Sequence, residues 1–331
     1  MVKLLQKRRN RRPRTSDFKP LSIKRFNEIR NNILVIRNLG GIGDIIMHRY
    51  LFETLKKVDE DIKITFACPT EFHEFVNDHP YIDKLEDSTK IDYADYIISF
   101  DTTRCCLRTE YSTAPKVKMN RPDIWAQHCG IKIDNYDMYF DVTDENKKWG
   151  EDKIEEIRNG TYGPSILFSP LSVSMDRSFT NGQIRMIVKN LREMGYFVFG
   201  THHLPVLVFE ELGVPLLKKL PPKKWISVID AADYVLTVDT GTFHIAGGLR
   251  KPMTAMFTWT DGKVRGNHYD FVLMQNHRDD GWICGPCWMP CKKSKGPYHP
   301  CCTELTEDMI MTSINKMLKK WPYQTKVITD A

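Results

Sequence analysis

At 331 residues the chain is longer than a single hydrophobic core usually serves, so two domains are expected. Hydrophobic residues at 41% and charged residues at 27% describe an ordinary globular protein, and no apolar run approaches the roughly 18–20 residues that a membrane-spanning helix needs. The formal net charge is +6 and its excess sits at the front, where Lys3, Lys7, Arg8, Arg9, Arg11, Arg12 and Arg14 all precede the first acidic residue, Asp17.

That basic stretch is not followed by the apolar segment and small-residue cleavage site of a secretory signal, so a cytoplasmic protein is expected. A run of like charges repels itself and suits an anionic partner, either nucleic acid or an acidic membrane or glycolipid surface. A solubilising tail without a partner is the plainer alternative. The chain has nine cysteines, an odd number without a secretion signal, which argues against a disulfide framework.

Residues 1–30 read as a basic tail and lead-in that closes on the amphipathic piece SIKRFNEIR. Ile33–Ile36 is a compact apolar run broken at Gly40 and Gly41, and beyond Asp44 the residues Ile45, Ile46, Leu51 and Leu55 recur at helical spacing. IKITFAC reads as a strand, EFHEFVND as a helical piece and YADYIISFD as a buried-type strand ending on Asp101. Strand and helix alternate, the pattern of a parallel α/β sheet. The polar stretch near 143–162 marks a domain boundary, set at residue 150, which gives a first domain over 31–150 and a second over 151–325.

The second series repeats the alternation. Ser165–Phe168 reads as a strand, Asn181–Met194 as a helix stopped by Gly195, Phe197–Phe199 as a strand and Trp225–Ala232 as a helix. Tyr234–Val238 is a strand ending in Asp239, Met253–Phe257 another strand, and Glu304–Lys320 a closing amphipathic helix with a basic end.

Two glycine-bearing turns carry the candidate chemistry. In Asn38-Leu39-Gly40-Gly41-Ile42-Gly43-Asp44 the glycines let the backbone turn sharply and approach a ligand, and the helix that follows offers unpaired N–H groups to an anion. A tight turn capped by Asp44 is the plainer reading. In Val238-Asp239-Thr240-Gly241-Thr242-Phe243-His244-Ile245-Ala246-Gly247-Gly248 a strand ends in a carboxylate and passes through Thr-Gly-Thr into a helix of small residues. At the carboxyl edge of a parallel sheet such a turn can cradle a diphosphate.

Together these stretches resemble the bacterial lipopolysaccharide heptosyltransferase family. RNLGGIGDIIM is similar to that family's amino-terminal signature, VDTGTFHIAGGLRKP to its carboxy-domain signature, and FSPLSVSMDRSFTNGQI to the stretch between them, with Arg177 and Phe179 where Lys and Trp are more usual. The likeness covers roughly residues 33–318. It implies an α/β protein of two Rossmann-like domains facing a cleft, the GT-B arrangement, in which the first domain holds the acceptor and the second a nucleotide-sugar donor. It further implies an inverting glycosyltransferase without a catalytic cofactor, acting on a hydroxyl of a saccharide or glycolipid and located in the cytoplasm or peripherally at the inner membrane.

On that resemblance Asp44 is the catalytic base. Arg177, with the N–H groups of Thr240, Gly241 and Thr242 and with His244, stabilises the leaving diphosphate, while Gly41, Gly43 and Asp239 shape the donor site. The chemistry agrees, because an acceptor hydroxyl is a poor nucleophile and a departing diphosphate needs fixed positive partners. Arg in place of Lys at 177 replaces a point charge with a planar fork. In relatives an acidic residue of the intervening αβ loop assists at the nucleotide; Glu210 and Glu211 lie in the corresponding stretch without a clear match, and His202 and His203 read as surface histidines.

Near the carboxyl end, Cys284, Cys287, Cys291, Cys301 and Cys302, with His299 nearby, have spacings that could close a structural zinc site. Unmetallated or redox-active thiols and an oxidised pair are the alternatives. Other functional readings are a virus-type glycosyltransferase acting on modified DNA bases, a catalytically silent nucleotide-binding scaffold, and a sugar-nucleotide epimerase of similar architecture.

Overall fold

The computed structural model describes residues 22–258, 260–276 and 300–323. The basic tail therefore lies outside the described residues, apart from its lead-in. Ser22 caps α1 (Ile23–Ile29), and Arg25 of that helix pairs with Asp95.

The first sheet comprises β1 (Asn32–Ile36), β2 (Lys63–Cys68), β3 (Lys84–Asp87) and β4 (Ile98–Asp101), all parallel, in the order β3-β2-β1-β4. β1 is buried on both faces: Ile33 and Val35 join the main core, and Leu34 and Ile36 pack with Ala67 on the other side. Between β1 and β2 run α2 (Ile42–Met47) and α3 (Arg49–Val58). The continuous helical spacing expected after Asp44 is interrupted at His48. Its imidazole Nδ1 lies 2.7 Å from the Asp44 carbonyl, while its backbone N–H turns to Ile45 O at 3.2 Å. EFHEFVND forms a 3₁₀ turn over Thr70–Phe75 rather than an α-helix. β4 differs from expectation more sharply. It is an edge strand with β1 as its one neighbour in the sheet, and Ile98 is 49% exposed.

After β4 come α4 (Cys105–Thr113) and α5 (Arg121–His128), neither of which showed a clear period in the sequence. Asn120 caps α5 by accepting from the Asp123 N–H at 2.8 Å, which fixes Arg121 as the first helical residue. The chain then reaches α6 (Asp144–Arg158), opened by Thr143 and closed by Asn159 in the left-handed conformation at φ 48°. The expected boundary at residue 150 falls inside this helix. A Cβ at Gly150 would stand 2.4 Å from the Ser227 carbonyl, so this glycine lets α6 lie tightly on the second half.

The second sheet is larger. β5 (Ser165–Ser169), β6 (Phe197–His202), β7 (Leu216–Lys218), β8 (Tyr234–Val238), β9 (Met253–Phe257) and β10 (Val272–Asn276) run parallel in the order β10-β9-β8-β5-β6-β7. Its helices are α7 (Asn181–Glu193), α8 (Leu207–Glu211), α9 (Pro222–Ala231), α10 (Gly241–Gly248), α11 (Gly262–Arg265), α12 (Pro300–Thr303) and α13 (Glu307–Lys320). α7 starts at a reciprocal capping box between Thr180 and Gln183, and it buries Ile184, Ile187, Val188 and Leu191. These side chains join Ile166, Phe168, Leu236 and the α13 residues Ile310, Ile314 and Met317 on one face of the sheet. On the opposite face Val235, Phe243 and Ala246 belong to a core that continues into the first half through Ile226, Ile154, Met138 and Trp125. That shared core sets the carboxyl edges of the two sheets against one cavity. Among the described residues no helix is long and apolar enough to cross a membrane.

Candidate active site

A cavity of about 890 Å³ lies between the two halves. Its first wall comes from Gly41, Ile42, Gly43, Asp44 and Arg121, and its second from Arg177, Asp239, Thr240, Gly241, Thr242 and His244. Every residue of the donor and catalytic sets named from the sequence therefore faces one space, although their stretches lie far apart in the chain.

On the first wall, β1 delivers Arg37 to the sheet edge and the loop returns over it into α2. Gly40 has φ +130°, and a Cβ there would come within 2.6 Å of Asp44 Oδ2 and 2.7 Å of Arg37 Nη2, so only glycine can cover this pair. Gly41 is the N-cap and makes no side-chain cap, and Asp44 does not cap the helix either. Its carboxylate takes two arginines instead. Arg37 Nη2 donates to Oδ2 at 2.8 Å and Arg121 Nη1 to Oδ1 at 2.6 Å. Arg37 is itself fixed by Nη1 donating to the carbonyls of Thr102 at 3.0 Å and Thr103 at 2.9 Å. Arg121 uses Nε and Nη2 on Glu110 Oε1 and Oε2 at 2.8 and 2.9 Å, and Arg265 of the second half reaches Glu110 Oε1 at 3.2 Å.

Asp44 is 8% exposed. Burial alone would push its carboxyl up, but the Arg121 and Arg37 guanidinium groups outweigh that and hold it well below the usual carboxylate range. It is ionised throughout neutral pH.

On the second wall, β8 ends at Val238, Asp239 follows it and α10 begins at Gly241. Asp239 Oδ2 is 3.3 Å from Arg177 Nη1 and accepts the Thr260 hydroxyl at 3.0 Å, while Ser172 Oγ donates to the Asp239 carbonyl at 3.1 Å. Burial raises this carboxyl too, and Arg177 followed by Arg265 brings it well below the usual range. Thr240 caps α10 without a side-chain hydrogen bond, and the first amides of a helix have no acceptor within it, so the turn presents donors to the cavity. The Thr242 and Ser169 hydroxyls lie 3.0 Å apart beneath it. His244 Nδ1 is 2.9 Å from the Tyr269 hydroxyl, and burial pushes the imidazole down to about 4, so it is neutral at pH 7.

The two walls meet closely. A Cβ on Gly43 would stand 2.6 Å from His244 Cδ2, and one on Gly241 would stand 3.4 Å from Ile42 Cγ2. Gly43 thus serves the close approach of α2 to α10, a packing role the sequence did not suggest.

Several residues went unnoticed in the sequence. Arg37 lies at the head of RNLGGIGD and could have been read as a strand-end cation. Arg121, Glu110, Arg265 and Tyr269 carry no local signal. His202 and His203, read as surface residues, line the cavity with Lys219 and Trp225. Glu210 and Glu211 do not line it: Glu210 pairs with Lys218 at 2.9 Å and Glu211 with Arg185, both at the surface.

Of the cysteine set, Cys284, Cys287 and Cys291 lie outside the described residues, as does His299. Cys301 and Cys302 are buried in α12, and the Cys302 thiol donates to the Asp176 carbonyl at 2.9 Å. Among the described residues no group of three or more His, Cys, Asp or Glu side chains is arranged to hold a metal ion.

Residues 202–277, which include the Asp239–His244 turn, match the model of glycosyltransferase family 9 (heptosyltransferase). Among solved structures, a glycosyl transferase family 9 protein from Veillonella parvula is similar with a TM-score of 0.67 at 12% identity, over 88% of this chain and 98% of that one. The Escherichia coli ADP-heptose lps heptosyltransferase II gives 0.55 at 13% identity over 87% and 99%. The iron-containing dodecameric glycosyltransferase TibC of enterotoxigenic E. coli gives 0.66 at 12% identity over 88% and 77%. No curated protein matches the sequence. The family match over residues 202–277 and the shared fold agree with the resemblance carried by the two signatures: the chain has the two-halved α/β fold of these glycosyltransferase structures, and its second half is similar to glycosyltransferase family 9.

Proposed function

We propose that the protein transfers a sugar, with inversion, from a nucleotide-sugar donor to a hydroxyl of a saccharide or glycolipid acceptor. The observation that carries this reading is one cavity with a buried carboxylate, Asp44, on one wall and a cation beside an open helix start, Arg177 with Thr240–Thr242, on the other. The donor lies on the second half, over about residues 151–325, with its diphosphate against Arg177 and the amides of the turn. The acceptor enters against the first half, over about residues 31–150.

In the reaction the acceptor oxygen attacks the anomeric carbon from the side opposite the diphosphate. Its proton passes to Asp44, and the bond to the diphosphate breaks with the electron pair leaving on the phosphate oxygen. Arg177 and the helix start then stabilise charge as it develops. Asp44, flanked by two guanidinium groups, is a weak base in the resting protein, so proton transfer accompanies attack rather than preceding it. His244, neutral, can donate or accept a hydrogen bond but brings no charge. Asp239 orients Arg177.

The nearest donor to try is ADP-heptose, which names one of the similar structures. Location at the cytoplasmic face of the inner membrane, with the basic tail on an anionic surface, accords with a glycolipid acceptor. A structural metal on the cysteine stretch is a separate proposal; zinc and iron content of protein purified without added metal checks it, and fewer than about 0.1 ion of either per chain excludes it.

Thermal denaturation against a panel of sugar nucleotides tests donor use. A true donor at 100 times its Kd stabilises the fold by about 2.7 kcal/mol, and no shift with any member refutes the reading. Asp44→Asn then tests the base: turnover is expected to fall by about 10²–10⁴ while donor affinity holds, and near-normal transfer would remove Asp44 from that role.

A further inference from the structure

Glu110 belongs to neither wall of the cavity and to neither signature. It is a carboxylate only 3% exposed, on α4, held between two arginines that come from different halves of the molecule. We propose that Glu110 is a positioning residue for the transfer step: it occupies Nε and Nη2 of Arg121 so that a single nitrogen, Nη1, reaches Asp44. The proposal rests on the reading of Asp44 as base.

The geometry supplies the argument. An arginine next to a carboxylate favours a bidentate fork, two parallel N–H groups on two oxygens. Arg121 makes that fork with Glu110, and Asp44 receives only one bond from it at Oδ1 and one from Arg37 at Oδ2. An ionised carboxylate has about four lone-pair positions, so this arrangement leaves about two of them for an incoming hydroxyl. Without Glu110, Arg121 is free to fork onto Asp44, which would fill those positions and put an uncompensated cation on the base. Arg37 is anchored differently, with two backbone carbonyls on its Nη1 and a single bond from Nη2 to Asp44.

The arrangement also spans the cavity. Arg265 sits on α11 between β9 and β10, and its Nη1 meets the same Oε1 that accepts from Arg121 Nε. Glu110 therefore takes its full set of partners only when the two halves stand together as they do here.

Glu110→Gln keeps the shape and removes the charge. The expected result is a fall in kcat of about 100-fold, the cost typical of a misplaced reacting group, with the Kd for the donor selected by the thermal panel unchanged. The same substitution made in Asp44→Asn should cost nothing further in residual turnover over long incubation, since its effect acts through Asp44. A normal kcat in Glu110→Gln overturns the proposal, and so does an equal loss in both backgrounds, which marks a purely structural role. Should Glu110→Gln fail to fold, Glu110→Asp decides. It retains the charge but is too short to reach both nitrogens, so an intermediate fall in kcat at constant donor Kd is expected, and an unaltered kcat overturns the proposal. If Asp44→Asn is itself active, the base reading fails first, an outcome distinct from Glu110→Gln being normal while Asp44→Asn is dead.

Discussion

The two halves each place a buried carboxylate at the turn from an inner strand into a helix, Asp44 after β1 and Asp239 after β8, and they surround it differently. Asp44 has an arginine on each oxygen, both arginines are anchored by other groups, and the chain of charge continues through Glu110 to Arg265. Asp239 has one arginine, a threonine hydroxyl and a helix start whose residues line the cavity. The first arrangement fixes the position and charge of a single carboxylate. The second leaves its arginine and the first residues of α10 on the cavity wall. Two turns of similar topology therefore differ in kind, and on the proposed function one serves proton transfer and the other holds the diphosphate.

This contrast can be broken by substitution. Where Asp44→Asn should cut turnover by about 10²–10⁴ and spare donor binding, Arg177→Ala should do the reverse in emphasis. It removes a charged hydrogen bond worth about 1.5–3 kcal/mol, so donor Kd should rise about 10–100-fold by calorimetry. Arg177→Lys should recover part of that. An Arg177→Ala variant with unaltered donor Kd would place the diphosphate elsewhere.

The seam between the halves gives a smaller effect. Gly43→Ala puts a methyl group 2.6 Å from the His244 ring, and the neighbouring helix can yield only by shifting α2 from α10. A loss of about 1–3 kcal/mol in denaturant unfolding is expected, together with reduced turnover. Gly41→Ala, whose Cβ meets nothing within 4 Å, is the control. Equal stability of the two variants would show that the seam is looser than described.

The broadest effect is on pH. Burial pushes His244 down to about 4, and His48, His79 and His268 down to about 3, from an ordinary 6.5. Above 6.5 these rings are neutral whether the chain is folded or not, and they cost nothing. Below it the unfolded chain binds protons that the folded chain refuses, so stability falls as the pH drops from 6.5 toward 4. The depressed carboxyls of Asp44 and Asp239 add to this only on further acidification, as the unfolded carboxylates protonate. The melting temperature should decline steadily between pH 7 and pH 4, and a flat profile would mean the rings are less enclosed than their surroundings indicate.

Much of this could be read from the chain and some could not, for physical reasons. The strands around the two turns announced themselves because a parallel sheet covered on both faces demands continuous apolar runs, and Tyr234–Val238 and Met253–Phe257 were placed to the residue. Short outer strands such as β3 and β7 gave no such signal. YADYIISFD misled because an apolar run says that a segment pairs in a sheet but not that a second neighbour will cover it. The residues of the site that follow strand ends were visible. Their electrostatic partners were not: Arg121 meets Asp44 across 77 positions and Arg265 meets Glu110 across 155, and no local pattern encodes a contact of that separation.

The central claim is that one half grips the diphosphate of an activated sugar while the carboxylate of the other faces its anomeric carbon. A crystal structure of the Asp44→Asn protein with ADP-heptose, or with whichever sugar nucleotide raises the melting temperature most, measures this directly. The account predicts the diphosphate beside Arg177 and the Thr240–Thr242 amides, with the sugar turned toward residue 44. A nucleotide seated outside that cavity, or a sugar pointing away from residue 44, would contradict it.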